Sequence, residues 1–149
     1  MGEAIVVGTD GSETAQRAVA EAVRVARALG AELHIVTAYG MRASPLVANV
    51  PDVAALMMAA LPDSEAESIV ERAAATPRSD GLNVHTHAVE GDPGDALIAV
   101  ASHVGARTIV VGSRGMSGAR QLLGSVPNRV SHAAACNVMI VSTGERRGR

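Results

Sequence analysis

A glycine-rich segment in the last third of the chain carries the residues best suited to bind an anion. It runs from Gly112 to Gly118 and is followed by Leu122-Leu123-Gly124-Ser125. Glycines can adopt positive φ and bring backbone N–H groups close to an anion. A helix beginning after Ser125 would direct its free N–H groups and positive dipole end to the same place. The segment predicts a phosphate-binding site, although such glycines also occur in ordinary turns.

The residues around this segment favour the phosphate interpretation. Ala106 to Val111 form a β-branched apolar run that is typical of a strand buried on both faces, and a helical pattern follows Ser125. A strand, a glycine loop and a helix in that order are the context that a nucleotide-binding motif requires. The predicted ligand is therefore a molecule that carries phosphate.

The composition excludes several classes of protein. A length of 149 residues fits one domain, from residue 1 to residue 149, with 144–149 expected to be a flexible tail. The net charge of −2 and a single aromatic residue, Tyr39, argue against a nucleic-acid partner. The chain contains no Lys, which excludes Schiff-base chemistry and the lysine-dependent Walker loop.

The cysteine count and the hydropathy pattern indicate the cellular compartment. Cys136 is the single cysteine, so no intramolecular disulfide can form, which suits a reducing compartment. No apolar run is long enough to cross a bilayer, and no signal-peptide pattern is present. These observations predict a cytoplasmic protein without a membrane partner.

Apolar runs alternate with helical patterns along the whole chain. Strands are expected at 4–8, 32–38, 82–89, 106–111 and 137–142, and the polar alternation of 82–89 suggests an edge strand. Ser12 can cap a helix that reaches Leu29, and Asp92 can cap a helix that begins at Pro93. Between the second and third strands, prolines including Pro62 suggest interrupted structure before a helix from Ser64 to Ala75. The alternation predicts an α/β fold with a doubly wound parallel sheet.

Three separated motifs make the chain resemble the universal stress protein family over nearly its whole length. They are Val7 to Ser12, Val89 to Pro93, and Val110 to Gly115 together with Leu122 to Val126. The resemblance implies a five-stranded sheet of order 3-2-1-4-5 with helices on both faces. It also implies an adenine nucleotide at the carboxyl ends of the strands, in agreement with the general rule for open α/β sheets.

The resemblance assigns a part of the nucleotide to each motif. Asp10 would accept hydrogen bonds from the ribose hydroxyls, with Gly8 and Thr9 forming that wall, while Ala38 would lie against the adenine and Gly91 near the base edge. The phosphates would lie among backbone N–H groups and the Ser125 hydroxyl. The residues implied around the phosphates are Gly112, Ser113, Arg114, Gly115, Met116, Gly124, Ser125 and Val126.

The identity of the nucleotide stays open at this level. ATP, with Mg²⁺ possible beside it, is the first expectation. The run from Gly124 to Ser131 also looks like the branch of the family whose members can prefer cyclic AMP, and AMP is a further alternative. Eight residues, Met116 to Leu123, separate Gly115 from Gly124, one fewer than the family's pattern, which affects how many phosphates fit.

Other chemistry is less well supported by the residues. Asp10 could instead cap the first helix. His85 and His87 share one face of a strand and could form half of a metal site, but no third ligand is identifiable, so an exposed edge strand is the preferred interpretation and no metal ligand is assigned. Gly115-Met116-Ser117-Gly118-Ala119 lacks the second glycine of a nucleophile elbow at Ala119.

The residues and the resemblance together leave three functions open. The first is a nucleotide-binding regulatory protein of the stress response, with slow or no hydrolysis, because no general base is identifiable beside the glycine loop and no catalytic residue can be assigned. The second is a genuine ATPase or nucleotidyl-transferring enzyme that uses a metal held by the phosphates and Asp10. The third is a structural homodimer with a vestigial pocket. A homodimer through the last strand is expected because that apolar segment would otherwise leave an exposed sheet edge.

Overall fold

The computed structural model describes residues 2–40, 52–113 and 123–143. Its strands are β1 (Ala4–Gly8), β2 (Glu32–Tyr39), β3 (Val84–Glu90), β4 (Thr108–Gly112) and β5 (Asn137–Val141). Its helices are α1 (Glu13–Leu29), α2 (Asp52–Ser79), α3 (Pro93–Val104) and α4 (Ser125–Ala133). All the strand pairs are parallel, and the strands lie in the order 3-2-1-4-5. The predicted fold class and strand order are confirmed.

Two apolar layers cover the sheet. One layer packs α1 and α2 on one face through buried residues such as Ala22, Val70 and Ile35. The other packs α3 and α4 on the opposite face, with Leu97, Val130 and Ile109 among its buried residues. Because both faces are covered, the central strands β1 and β4 have continuous apolar sequences in which nearly every residue is buried.

Local signals set the ends of α1 and α3 as the sequence predicts. The Ala15 N–H donates to Ser12 Oγ at 3.2 Å, and Gly30 ends α1 at φ 63°. The Asp95 N–H donates to Asp92 Oδ1 at 3.1 Å at the start of α3, where Pro93 is the first helical residue. The N-caps Ser12 and Asp92 fix where the chain enters a helix after the carboxyl ends of β1 and β3.

The expected break before α2 is wrong. A single helix runs from Asp52 to Ser79 and includes both Pro62 and Pro77, whereas the sequence pattern predicts that Pro62 interrupts the chain before a helix from Ser64 to Ala75. A proline inside a helix removes one main-chain hydrogen bond and costs on the order of 3 kcal/mol. Most helical stability in proteins comes from packing of an apolar face, and α2 buries Ala66, Val70 and Ala74.

The carboxyl ends of the strands are held together by main-chain hydrogen bonds beyond the sheet. The Thr9 N–H donates to the Val36 carbonyl at 2.9 Å, and the Ser113 N–H donates to the Val141 carbonyl at 2.8 Å. An exposed ion pair between Arg129 and Asp95, at 2.9 Å, joins α4 to α3. The loops that follow β1 and β4 therefore leave the sheet from positions fixed by neighbouring strands.

Among the described residues, no helix is both long enough and apolar enough to cross a bilayer.

Candidate functional site

A cavity of about 220 Å³ lies where β1, β2 and β4 end and α4 begins. The strand order reverses beside β1, since the chain moves from β1 to β2 and β3 on one side and returns to β4 and β5 on the other. Open α/β sheets bind ligands outside the carboxyl ends of their strands at such a reversal. The fold thus places a cavity where this architecture normally carries its ligand.

Most of the predicted site residues that the structure describes line this cavity. They are Gly8, Thr9, Asp10, Ala38, Gly112, Gly124, Ser125 and Val126. Residues from the first and third motifs, together with Ala38 of β2, therefore meet in one place. Arg114, Gly115 and Met116 lie outside the described residues.

Gly91 and Ser113 do not line the cavity. The Gly91 N–H donates to the Tyr39 carbonyl at 3.0 Å, and its φ of 131° turns the chain from β3 toward α3. Ser113 accepts a hydrogen bond at Oγ from the Thr143 N–H at 3.2 Å and at its carbonyl from the Gly124 N–H at 3.0 Å. Ser113 thus holds the start of α4 against the ends of β4 and β5.

The loop after β1 presents a carboxylate at the mouth of the cavity. The Ser12 N–H donates to Asp10 Oδ1 at 2.9 Å, and the Gly11 N–H donates to Thr9 Oγ1 at 3.1 Å. Ser12, not Asp10, is the residue that caps α1. Asp10 is exposed, and an ionised carboxylate has more acceptor sites than this one hydrogen bond uses. Because Ser12 caps α1, the capping hypothesis for Asp10 is wrong. The Asp10 side chain is able to accept hydrogen bonds from a ligand.

The start of α4 supplies hydrogen-bond donors, whereas Asp10 supplies acceptors. Gly124 is the N-cap residue with φ −61° and ψ 168°, and among the described residues no side chain caps this helix. The N–H groups of Ser125 and Val126 belong to the first turn, which lacks intrahelical acceptors, and Pro127 has no N–H. The Ser125 hydroxyl lies beside them. This helix end can accept an anion through two backbone donors, a hydroxyl and the helix dipole.

Apolar residues connect the carboxylate to the helix end. The cavity wall includes Val36, Leu97 and Val111, and a Cβ on Gly8 would lie 3.0 Å from Leu97 Cδ1. A side chain at Gly8 would therefore press on Leu97. The result is an apolar slot that a planar ring could enter.

Sequence reasoning missed part of this slot. Thr37, Pro93, Leu97 and Pro127 line it without belonging to the residues assigned from the motifs. The available signal was the position of Pro93 and Leu97 on the first turns of the helix that follows the second motif. A helix that starts at the carboxyl end of a strand points its first turn at the ligand site.

The cavity lacks the groups that usually perform hydrolysis. Asp10 is the one charged side chain among the described residues that line it. His103 and His132 belong to the last turns of α3 and α4, at the ends of those helices away from the cavity. The described part of the site therefore offers binding groups without a candidate general base other than Asp10.

A larger groove of about 520 Å³ lies between α1 and α2. Its walls include Val19, Val23 and Ile69, and Arg27 forms an exposed ion pair with Asp80 at 3.2 Å across it. The groove is lined mainly by the sides of the two helices, and only Thr9 and Gly11 come from the loop after β1. Its described lining includes no residue of the α4 start. The smaller cavity is therefore the better candidate for a nucleotide.

Comparison with known proteins agrees with the fold and the motifs. The family model described as "Universal stress protein family" matches residues 1–142. Universal stress protein Rv1636 of Mycobacterium tuberculosis is 37% identical over 146 residues, which cover 93% of this chain and 95% of that protein.

Two similar solved structures contain nucleotides. A crystal structure of a universal stress protein in complex with cAMP is 34% identical, with a TM-score of 0.69, and the match covers 96% of this chain and 98% of the other. The universal stress protein from Archaeoglobus fulgidus in complex with dAMP is 26% identical, with a TM-score of 0.59, covering 93% and 96%. The family match over nearly the whole chain, together with these relatives, shows that the chain belongs to the universal stress protein family.

Proposed function

We propose that this protein binds an adenine nucleotide and acts as a regulator in the stress response, with the whole chain working as one domain in the cytoplasm. One observation carries the proposal: a carboxylate and an uncapped helix start line the same cavity, joined by an apolar slot. Asp10 is suited to hydroxyl donors, whereas the start of α4 is suited to an anion. ATP and AMP each carry a base, a ribose diol and a phosphate in one molecule, and cyclic AMP carries the base, the phosphate and the 2′-hydroxyl.

ATP is the first candidate ligand and cyclic AMP the second. The glycine motif favours ATP as the ligand, and Mg²⁺ could accompany its phosphates. Cyclic AMP is favoured by a specific observation, since a relative 34% identical to this chain has been crystallised with it. AMP is a further candidate because a second relative has been crystallised with dAMP.

The nucleotide released from freshly purified protein, identified by mass spectrometry, tests the proposal first. Calorimetric titration of the emptied protein with ATP, cyclic AMP, AMP and adenosine then ranks the ligands. We expect every phosphorylated ligand that fits to bind more tightly than adenosine, because the start of α4 interacts with phosphate and not with the nucleoside. Absence of binding by all four would leave the vestigial-pocket hypothesis in its place.

Hydrolysis is expected to be slow or absent. Apart from Asp10, the described cavity holds no group that could activate water. Purified protein that turns over ATP with Mg²⁺ at enzymatic rates would instead support the ATPase hypothesis.

We also propose that two chains associate through β5. This strand pairs with β4 on one side and lies at the edge of the described sheet, and its Ile140 is 39% exposed. An apolar edge strand offers unpaired main-chain groups to a second copy of itself.

Light scattering is expected to show a dimer for the wild-type protein and a monomer for Ile140→Arg. Leu29→Arg, at an exposed apolar residue on α1, is the control that should remain a dimer. A monomeric wild-type protein, with or without nucleotide, would contradict the proposal.

A further inference from the structure

A cluster of three histidines and one glutamate lies on β2 and β3, outside the described residues that line the nucleotide cavity. Its nearest member is His87, which pairs with Val36 of the cavity wall. Parallel pairing places His34 of β2 beside His85 of β3, and Glu32 and His87 lie two residues away on the same face of their strands. The sequence shows His85 and His87 as a pair without a third ligand. The strand register supplies His34 and Glu32, which the spacing along the chain alone does not reveal.

The four side chains contact one another closely. His34 Nε2 lies 3.1 Å from Glu32 Oε1, and His85 Nε2 lies 3.4 Å from Glu32 Oε2. His34 Nδ1 lies 2.9 Å from His87 Nε2. The His34 ring also stacks between its neighbours, with ring centroids 4.7 Å from His85 and 5.1 Å from His87.

We propose that Glu32, His34 and His85 form a binding site for a divalent transition-metal ion, with Zn²⁺ as the best fitting ion. One donor atom from each residue lies within 4.8 Å of the other two. Ligands at about 2.0–2.1 Å in a tetrahedral zinc site lie about 3.4 Å apart. The two contacts of Glu32, at 3.1 Å to His34 and 3.4 Å to His85, lie near that spacing but use different carboxylate oxygens. Closing the site therefore requires rotation of the Glu32 and His85 side chains, which are both partly exposed.

The donor types agree with this ion. Two imidazoles and one carboxylate are a common set of zinc ligands, and three protein ligands leave a fourth position for water. The side chains of Glu32 and His85 are 32% and 46% exposed, which leaves a path for an ion. The His34 side chain is 6% exposed and gives the site a fixed inner ligand.

The hydrogen bond between His34 and His87 orients the inner ligand. When the His34 Nδ1–H donates to His87 Nε2, 2.9 Å away, His34 Nε2 carries a lone pair directed at Glu32 Oε1, 3.1 Å away. A cation between these two acceptor atoms would take the place of the proton that otherwise joins them. His87 is therefore a positioning residue for His34.

Zinc titration of the untagged full-length protein, followed by calorimetry, tests the site. We expect one Zn²⁺ per chain at neutral pH, and a rise in melting temperature because the ion binds the folded chain. Affinity is expected to fall as the pH is lowered, because protons compete with Zn²⁺ for the ligand atoms. Glu32→Gln and His85→Gln are each expected to remove most of the binding, and His87→Gln to weaken it by about 10–100-fold.

Two control variants separate this site from other zinc ligands. His132→Gln changes an exposed histidine of α4, and Cys136→Ser removes a thiol whose pKa is raised by burial, so both should bind Zn²⁺ as the wild type does. Glu32→Gln and His85→Gln should also keep their nucleotide affinity, because neither residue is among the described residues that line the cavity, and Glu32 lies about 13 Å along β2 from Val36. Failure of nucleotide binding thus leaves this proposal untouched.

Three results would overturn the metal site. They are absence of Zn²⁺ binding by the wild type, unchanged binding in both Glu32→Gln and His85→Gln, and loss of binding in either control variant. X-ray absorption of the zinc-loaded wild type does not depend on how the variants fold. It should show nitrogen and oxygen ligands, and a sulfur ligand would equally overturn the proposal.

Discussion

Replacing Ser125 by proline is expected to weaken the binding of every phosphorylated adenine ligand by on the order of a hundredfold or more. The substitution removes the Ser125 N–H and its hydroxyl, and a hydrogen bond to a charged group contributes about 1.5–3 kcal/mol. Both groups lie at the uncapped start of α4, in the cavity wall. Calorimetric titration with ATP, AMP and cyclic AMP measures the effect.

The fold should tolerate this change. Proline is favoured at the first position of a helix, and Ser125 holds that position in α4. Gly124 has φ −61° and ψ 168°, the extended conformation that a residue before proline adopts. The melting temperature of Ser125→Pro should therefore stay close to that of the wild type.

Matched variants separate the contribution of the Ser125 N–H from that of its hydroxyl. Ser125→Ala removes the hydroxyl alone and is expected to cost about 10–100-fold. Ser131→Ala, on the same helix, removes a hydroxyl that donates to the Asn128 carbonyl at 2.9 Å and should leave nucleotide binding unchanged. Adenosine should bind Ser125→Pro as it binds the wild type. Phosphorylated ligands that keep their wild-type affinity for Ser125→Pro would show that α4 does not hold the phosphate.

The elements that the sequence predicts well are those with local signals. Ser12 and Gly30 mark both ends of α1, and Asp92 with Pro93 marks the start of α3. The continuous apolar strands are equally evident, since burial on both faces removes polar residues from them. The sequence predicts α2 from Ser64 to Ala75, where its apolar residues recur at helical spacing, but not its continuation through Pro62 and Pro77, because proline is a strong local signal against a helix.

In the candidate site, too, the residues with a local chemical signal can be predicted and those placed by packing cannot. The motifs identify Asp10 and Ser125 because a carboxylate after a strand and a glycine before a helix have direct chemical meanings. Leu97 gives no such signal, since its role in the cavity comes from the packing of α3 on the sheet. The partnership of His34 with His85 depends on strand register, which the order of the residues in the chain does not determine.

Removing the Asp10 carboxylate is expected to weaken adenosine and its nucleotides alike. The cost of Asp10→Ala is about 1.5–3 kcal/mol, or roughly 10–100-fold in affinity, if the carboxylate accepts hydrogen bonds from the ribose hydroxyls. The fold should survive, because Ser12 caps α1 through its own side chain and Asp10 is exposed. Asp80→Ala, at an exposed aspartate paired with Arg27, is the control that should bind normally.

Asp10→Asn separates the two roles that the Asp10 side chain could have. Its amide oxygen can still accept the Ser12 N–H, as Asp10 Oδ1 does at 2.9 Å, but it has lost the charge. If Asp10 only orders the loop, Asp10→Asn should bind adenosine as the wild type does. If Asp10 binds the diol, Asp10→Asn should also lose affinity.

The decisive ligand for this prediction is 2′,3′-dideoxyadenosine, which has no ribose hydroxyl at either position. Its affinity should not change in Asp10→Ala, whereas that of adenosine should fall. Because the diol and phosphate contacts are separate, the losses caused by Asp10→Ala and Ser125→Pro should add for AMP in the double variant. A loss for 2′,3′-dideoxyadenosine as large as that for adenosine would mean that Asp10 shapes the cavity without touching the ribose.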